Sequence, residues 1–352
     1  MRKVLVPLGA FAAARLLLAA AARAGGYPPF APGLFRRWDS GQYLSIAARG
    51  YDLVECARIG YAPEGWCGNA GWMPGYPALI AAAVRVGATP LVAGVAISAG
   101  FEIALLVVLW NGLFERKSFF ALLACALAPG AIYFHAVFPI SLCAFCVALS
   151  LWLLLRDRFA LAGLSGAAAA ASYSTGFLIA PVAALWALSR PGSAVQRVGR
   201  AVVAGGLSSA GLVAVFAWHE AKLGAWDAFL RVQAKYDHRI VSPFSRIVAQ
   251  AERRDVVGAE TLLVAALFVA LAIFCVWRGP RGRDLLLLGC GAVFWLFPLF
   301  FKNVELARSE ALFVPALVLL DDAPVPVAAC ACAALGALAW PIAQLFYRGV
   351  LV

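Results

Sequence analysis

Charge is scarce in this sequence. Only 13% of its 352 residues are Asp, Glu, Lys or Arg, against about 25% in soluble chains. That scarcity excludes an ordinary water-soluble domain. Disorder is excluded as well, because 64% of the residues are hydrophobic and the mean hydropathy is +0.87, too much apolar surface to leave solvated. Three histidines, none between residues 24 and 77, leave no His-rich metal spacing. No Walker loop and no Ser-His-Asp order occurs either. There is no tandem repeat, and the Ala run 167–171 is the one low-complexity stretch. Lysine is nearly missing, and the Ala-, Arg- and Gly-rich composition fits a bacterial protein from a GC-rich genome.

What is present is apolar sequence in long runs. The expectation is an all-α, polytopic transmembrane bundle forming one integral domain over 1–352. Eleven spans are expected, within a range of ten to twelve: 4–22, 90–113, 118–136, 138–155, 159–173, 175–189, 200–218, 259–277, 284–301, 308–321 and 325–346. The first apolar stretch, about 19 residues with Arg15 in its middle, exceeds the roughly 7–15 of a signal peptide and reads as a retained span. The net charge of +11 reflects basic connectors, not nucleic-acid binding, since no nucleic-acid motif accompanies it. Arg2/Lys3, Arg116/Lys117, Arg156/Arg158, Arg190/Arg197/Arg200 and Arg278/Arg281/Arg283 all fall on one side. The positive-inside rule makes that side cytoplasmic. Lys302, Arg308 and Arg348 are exceptions.

Two long connections, 24–77 and 219–258, then lie outside. They are rich in Trp, Tyr, Gly and Pro, which suits ordered loops and outer-face juxtamembrane helices more than flexible linkers, and function on a helical scaffold usually sits on such loops. Cys56 and Cys67 lie in the first of them, where an outer compartment permits a disulfide; two free thiols are the alternative. Two thiolates with no histidine nearby do not make a zinc site. The other seven cysteines fall in spans, as small packing residues.

Residues 36–77 carry the most chemistry. Asp39 opens a helical stretch, 40–49, and with Gln42 forms a capping-box variant. Arg36, Arg37 and Trp38 precede it, and Trp72-Met73-Pro74-Gly75-Tyr76-Pro77 follows. A carboxylate beside two arginines stays ionised and accepts a proton from a hydroxyl nucleophile. Guanidinium groups suit phosphate or pyrophosphate. A base and a phosphate clamp at a lipid surface point to transfer from a lipid-linked phosphate donor.

The pattern Arg37-Trp38-Asp39, Tyr43-Leu44-Ser45-Ile46-Ala47, Gly50-Tyr51 and Trp72 to Pro77 resembles the PIG-V family, the second GPI mannosyltransferase and its bacterial relatives within the GT-C glycosyltransferases. The resemblance implies a mannosyltransferase-like hexosyltransferase with its site on the extracytoplasmic face of a plasma membrane. It implies a polyprenyl-phosphate sugar donor, a lipid or glycan acceptor, inversion, and neither metal nor cofactor. Asp39 matches the acidic residue the family uses in catalysis. Arg36, Arg37, Trp38, Gln42, Tyr43, Trp72, Pro74 and Tyr76 become candidates for holding donor or acceptor. In the second loop, Asp227 to Gln233 is similar to a family segment, and Gln233, Lys235 and His238 are candidates for holding the phosphate or sugar; contact with anionic lipid headgroups is the competing reading there. Leu127 to Phe134 is similar to the family's proline-containing third span. The chain departs from the family at Ile140, Tyr173 and Glu310, positions that bear on donor, acceptor and activity.

Within the spans, Arg15 and Glu102 are expected to pair, or Arg15 to reach a donor phosphate; His135 is expected to be structural. Two other function classes stay open: a lipid or glycolipid transporter or flippase, and a non-catalytic scaffold with the same fold. The polarity concentrated in two loops, without repeated halves, favours the transferase.

Overall fold

The computed structural model describes residues 2–60, 64–236, 239–301 and 306–350. It is a helical bundle: α1 (Arg2–Ala24), α2 (Ser40–Arg49), α3 (Gly75–Arg85), α4 (Pro90–Val108), α5 (Phe119–Ala126), α6 (Ile132–His135), α7 (Ile140–Leu155), α8 (Phe159–Ser172) and α9 (Ile179–Ser189). The second half adds α10 (Ala194–Leu223), α11 (Ala228–Gln233), α12 (Pro243–Glu252), α13 (Val256–Trp277), α14 (Gly282–Phe300), α15 (Leu306–Glu310), α16 (Val314–Leu317) and α17 (Val325–Tyr347). The one sheet among the described residues is a two-stranded antiparallel ribbon, β1 (Leu53–Glu55) on β2 (Trp66–Gly68).

Six helices among the described residues are long and apolar enough to cross a membrane: α1, α4 with its five-residue π-helical end, α10, α13, α14 and α17. Three shorter apolar helices correspond to α7, α8 and α9. The remaining two apolar stretches, 118–136 and 308–321, are broken. α5 stops before Pro129, which disfavours helical geometry in the residue before it, and the chain resumes as the single turn of α6. The stretch 308–321 alternates between α and 3-10 turns. Broken backbone is tolerated at membrane depth only where protein encloses it; residues 311–322 are all buried.

Helix starts follow from capping. Ser193 and Gln196 form a reciprocal capping box on α10, Asp255 accepts from the Gly258 amide at 2.9 Å on α13, and Pro90 opens α4. The Ala run lets α8 press against α10, with Gly211 against the backbone of Ala167.

The two ends of the bundle differ in kind. At one, Asp321 accepts from the amides of Glu115, Arg116 and Ser118, each at 2.7 Å. Arg278, Arg281 and Arg283 converge there on Asp322, at 2.7–2.9 Å. Two connectors placed on one side by the charge rule, 116–117 and 278–283, are thus physically joined. The start of α1 is at this end too, since Asn111 donates to the Lys3 carbonyl at 2.9 Å. The C-terminal carbonyls of α17 lie at the opposite end, against Arg37. The two ends of the described chain therefore sit at opposite ends of the bundle.

Candidate active site

The loop between α1 and α3 folds back over the second face of the bundle. Asp52 and Asn69 tie it reciprocally: the Asn69 amide donates to Asp52 Oδ1 at 2.7 Å, and the Asp52 amide donates to Asn69 Oδ1 at 2.9 Å. Cys56 and Cys67 are joined by a disulfide with Cα atoms 5.0 Å apart. The Tyr51 hydroxyl donates to the Trp72 carbonyl at 2.8 Å. The second loop closes on the first: Gln233 Nε2 donates to the Gly71 carbonyl at 2.9 Å, and Arg231 stacks over Trp66 at 5.2 Å.

Asp39 does not cap α2 with its side chain. Its own backbone is already helical (φ −60°, ψ −16°), and the cap hydrogen bond is missing. The turn is instead made by Ser40, whose Oγ accepts from the Arg37 amide at 3.1 Å. Trp38, just before, has φ +41°, a left-handed conformation unusual for a bulky residue. It is held there by its ring edge on Phe346, 5.2 Å between centroids. The Asp39 carboxylate is thereby released from the helix and forms an ion pair with Arg308, 269 positions along the chain. The two side chains are 22% and 14% exposed, so the pair is sheltered but reachable.

Arg308 also lies over Phe138 at 5.8 Å. Phe138 and Tyr76 grip the Tyr43 ring edge-on, at 5.9 and 5.6 Å. Burial, then the nearby Asp39 charge, push the Tyr43 hydroxyl well above its ordinary pKa; Arg308 opposes this, and Tyr173 and Tyr76 add to it. Tyr43 is therefore a neutral hydroxyl among the groups of the pair. Tyr76 is committed to the fold: its hydroxyl donates to Gly94 at 2.8 Å and meets Ser98 at 2.8 Å.

Behind Arg308 the packing is close. The Gly130 amide donates to Glu260 Oε1 at 2.8 Å. Gly130 has φ +66°, and a Cβ there would clash with the Ala307 carbonyl. Glu260 and Glu310 are both buried beside this contact.

Several expected site residues do other work. Arg37 is engaged by backbone carbonyls. Its Nε and Nη2 donate to the Phe346 and Tyr347 carbonyls at 3.2 and 2.6 Å, satisfying the open end of α17. Arg36 is exposed, and its carbonyl accepts from Arg37. Gln42 is half-buried; its backbone amide donates to the Asp39 carbonyl at 2.9 Å, but its side chain makes no hydrogen bond among the described residues, so the expected capping box is not formed. Trp72 is buried, and Pro74 starts α3. Lys235 lies over Tyr236 at 5.1 Å, its pKa lowered by burial. His238 lies outside the described residues. In the bundle, Glu102 meets His135 Nδ1 at 3.1 Å, while Arg15, an electrostatic neighbour of Glu102, stacks over Phe35 at 4.5 Å. No group of three or more His, Cys, Asp or Glu suited to a metal occurs among the described residues.

Arg308 is the residue the sequence reading missed as a site member. The available signal was that it broke the charge rule: an arginine expected on the outer side of a membrane calls for a partner.

The chain resembles the crystal structure of the Archaeoglobus fulgidus oligosaccharyltransferase, solved with zinc and sulfate. The TM-score is 0.52 at 14% identity, over 97% of this chain and 53% of that one. This chain thus spans about half the length of that protein. No protein-family description and no curated protein sequence matches it. Fold and hydropathy together define a polytopic, all-helical membrane protein whose fold resembles that of this oligosaccharyltransferase.

Proposed function

We propose that this protein is a membrane glycosyltransferase that moves a sugar from a polyprenyl-phosphate donor to an acceptor hydroxyl, with inversion. The observation that carries the proposal is the Asp39–Arg308 pair, a sheltered carboxylate and guanidinium on the loop face of a GT-C fold. The oxygen of the acceptor hydroxyl attacks the anomeric carbon and the bond to the donor phosphate oxygen breaks. Asp39 takes the acceptor proton as general base. Arg308 holds that carboxylate in place through the ion pair, and its positive charge favours departure of the lipid phosphate. The neutral Tyr43 hydroxyl supplies a hydrogen bond to a sugar or acceptor oxygen. The reaction so written needs no resident metal or cofactor.

The PIG-V-like motif around Asp39 supports mannose as the sugar, and the basic connectors at the opposite end support an extracytoplasmic site in a bacterial plasma membrane. The oligosaccharyltransferase neighbour supports the transferase class, not a particular acceptor. Conversion of radiolabelled polyprenyl-phosphate mannose by purified, reconstituted protein tests the reading. Transfer to a lipid or glycan acceptor supports it. Movement of unaltered lipid between leaflets, without transfer, identifies a flippase instead.

A further inference from the structure

The second loop contains a helix whose surface is unlike the rest of the loop face. On α12 and the extended residues before it, Ile240 is 78% exposed, Phe244 77% and Val248 55%. Phe244 and Val248 are one turn apart and share a face of α12. The other flank of the helix faces inward: Gln250 is buried, and Ile247 packs against the core. α12 is therefore not a half-formed core helix; it has an inner contact and a second, uncovered apolar edge.

Charge in this segment has one predominant sign, although Arg253 is paired with Asp255 at 2.8 Å. Between 239 and 255 there are four arginines, Arg239, Arg246, Arg253 and Arg254, against Glu252 and Asp255. The segment is anchored at the same face as the Asp39–Arg308 pair, because the Val241 amide donates to the Phe300 carbonyl at 2.8 Å, at the end of α14. An exposed apolar edge in a net-basic segment, lying where spans end, has the chemistry of a helix in the plane of a bilayer interface. Arginine-rich interfacial segments gain from anionic headgroups through charge attraction that falls off within a Debye length.

We propose that α12 with the flanking residues 239–242 and 253–254 forms a membrane-interfacial anchor that seats Ile240, Phe244 and Val248 among acyl chains and places the exposed Arg239 and Arg254 against anionic phospholipid headgroups. The occupant of this surface is the phospholipid of the surrounding leaflet. The inference does not depend on the glycosyltransferase reading, since it concerns a surface away from Asp39 and is read without turnover.

The test uses the full chain in nanodiscs, with Cys330→Ser removing the exposed free thiol. Phe244→Cys, on the apolar edge, and Ala249→Cys, exposed on another side of α12, are each labelled with an environment-sensitive fluorophore. Headgroup-level quencher lipids are added to discs of phosphatidylcholine alone or with phosphatidylglycerol. The expected result is strong quenching at 244 and weak quenching at 249. Quenching at 244 should increase with phosphatidylglycerol, and that increase should disappear near 1 M salt, where the Debye length is about 3 Å, and in Arg239→Gln/Arg254→Gln. Equal aqueous exposure at both sites would overturn the anchor. Equal quenching in both lipids would overturn the anionic preference. Protection at 244 without quenching, joined by cross-linking between chains, would show that a second copy covers the edge.

Discussion

At the scale of single residues, the central question is what Arg308 does for Asp39. Both side chains are largely withdrawn from water, so removing one partner leaves an uncompensated charge in a poorly solvated place. Arg308→Gln should therefore lower the melting temperature more than the double variant Asp39→Asn/Arg308→Gln. A double-mutant cycle read by thermal unfolding in detergent should give a coupling of about 0.5–3 kcal/mol, the range for residues in contact. Additive effects would show that the two side chains do not meet in solution. Arg308→Lys keeps the charge but loses the planar fork, so it should recover stability more fully than turnover. A second residue-scale expectation concerns pH. Asp227 is held below its ordinary pKa by hydrogen bonding to Arg231, 2.8 Å away. A lowered folded-state pKa means the pair contributes stability above the unfolded value of about 3.9. That contribution is lost as pH falls through the folded value. Melting curves of wild type and Asp227→Asn should accordingly differ at pH 7 and converge in strong acid.

At the scale of elements, the loop staple and the α5–α6 break carry the geometry of the site. The Cys56–Cys67 bond closes a short ring between α2 and Trp72. Replacing both cysteines by serine should cost roughly 2–4 kcal/mol, seen as a fall in melting temperature that reductant reproduces in the wild type. The break at 127–131 has a sharper consequence. Gly130 has a left-handed φ, and a Cβ there would meet the carbonyl of Ala307, the residue before Arg308. Gly130→Ala should shift the Arg308 backbone and reduce turnover, although Gly130 contacts no proposed substrate. Turnover unchanged in that variant would mean the α15 backbone tolerates displacement. The staple was readable in the sequence, and the break was not. The cysteine pair and the loop's aromatic-proline cluster were visible because they are local. The breaks in 118–136 and 308–321 were not, because both stretches are apolar enough to pass as spans, and only enclosing protein makes broken backbone tolerable there.

At the scale of the whole molecule, hydropathy exposed the bundle, and the charge rule grouped connectors that the structure joins around Asp321 and Asp322. The site was legible only by half. Asp39, Tyr43 and Tyr76 lie within one loop and could be read together. Arg308 is brought in from near the other end of the chain, and Arg37 is drawn away by the carbonyls of α17, which no local pattern announces. The packing of Gln233 on Gly71 puts the two long loops on one face. Cysteine-accessibility labelling should therefore find 24–77 and 219–258 on the same side of the membrane, and that side is expected to be extracytoplasmic; labelling from opposite sides would break the site apart. The most direct test of the account is turnover by folded Asp39→Asn. The amide keeps the size of the side chain and removes its charge and its capacity to act as a base. Since Asp39 does not cap α2, helix capping should not change. The account predicts a variant that folds, with turnover reduced by roughly 10²–10⁴-fold, the usual contribution of a general base. Near-native turnover would contradict it, and would leave the Asp39–Arg308 pair as a structural tie between the two ends of the chain.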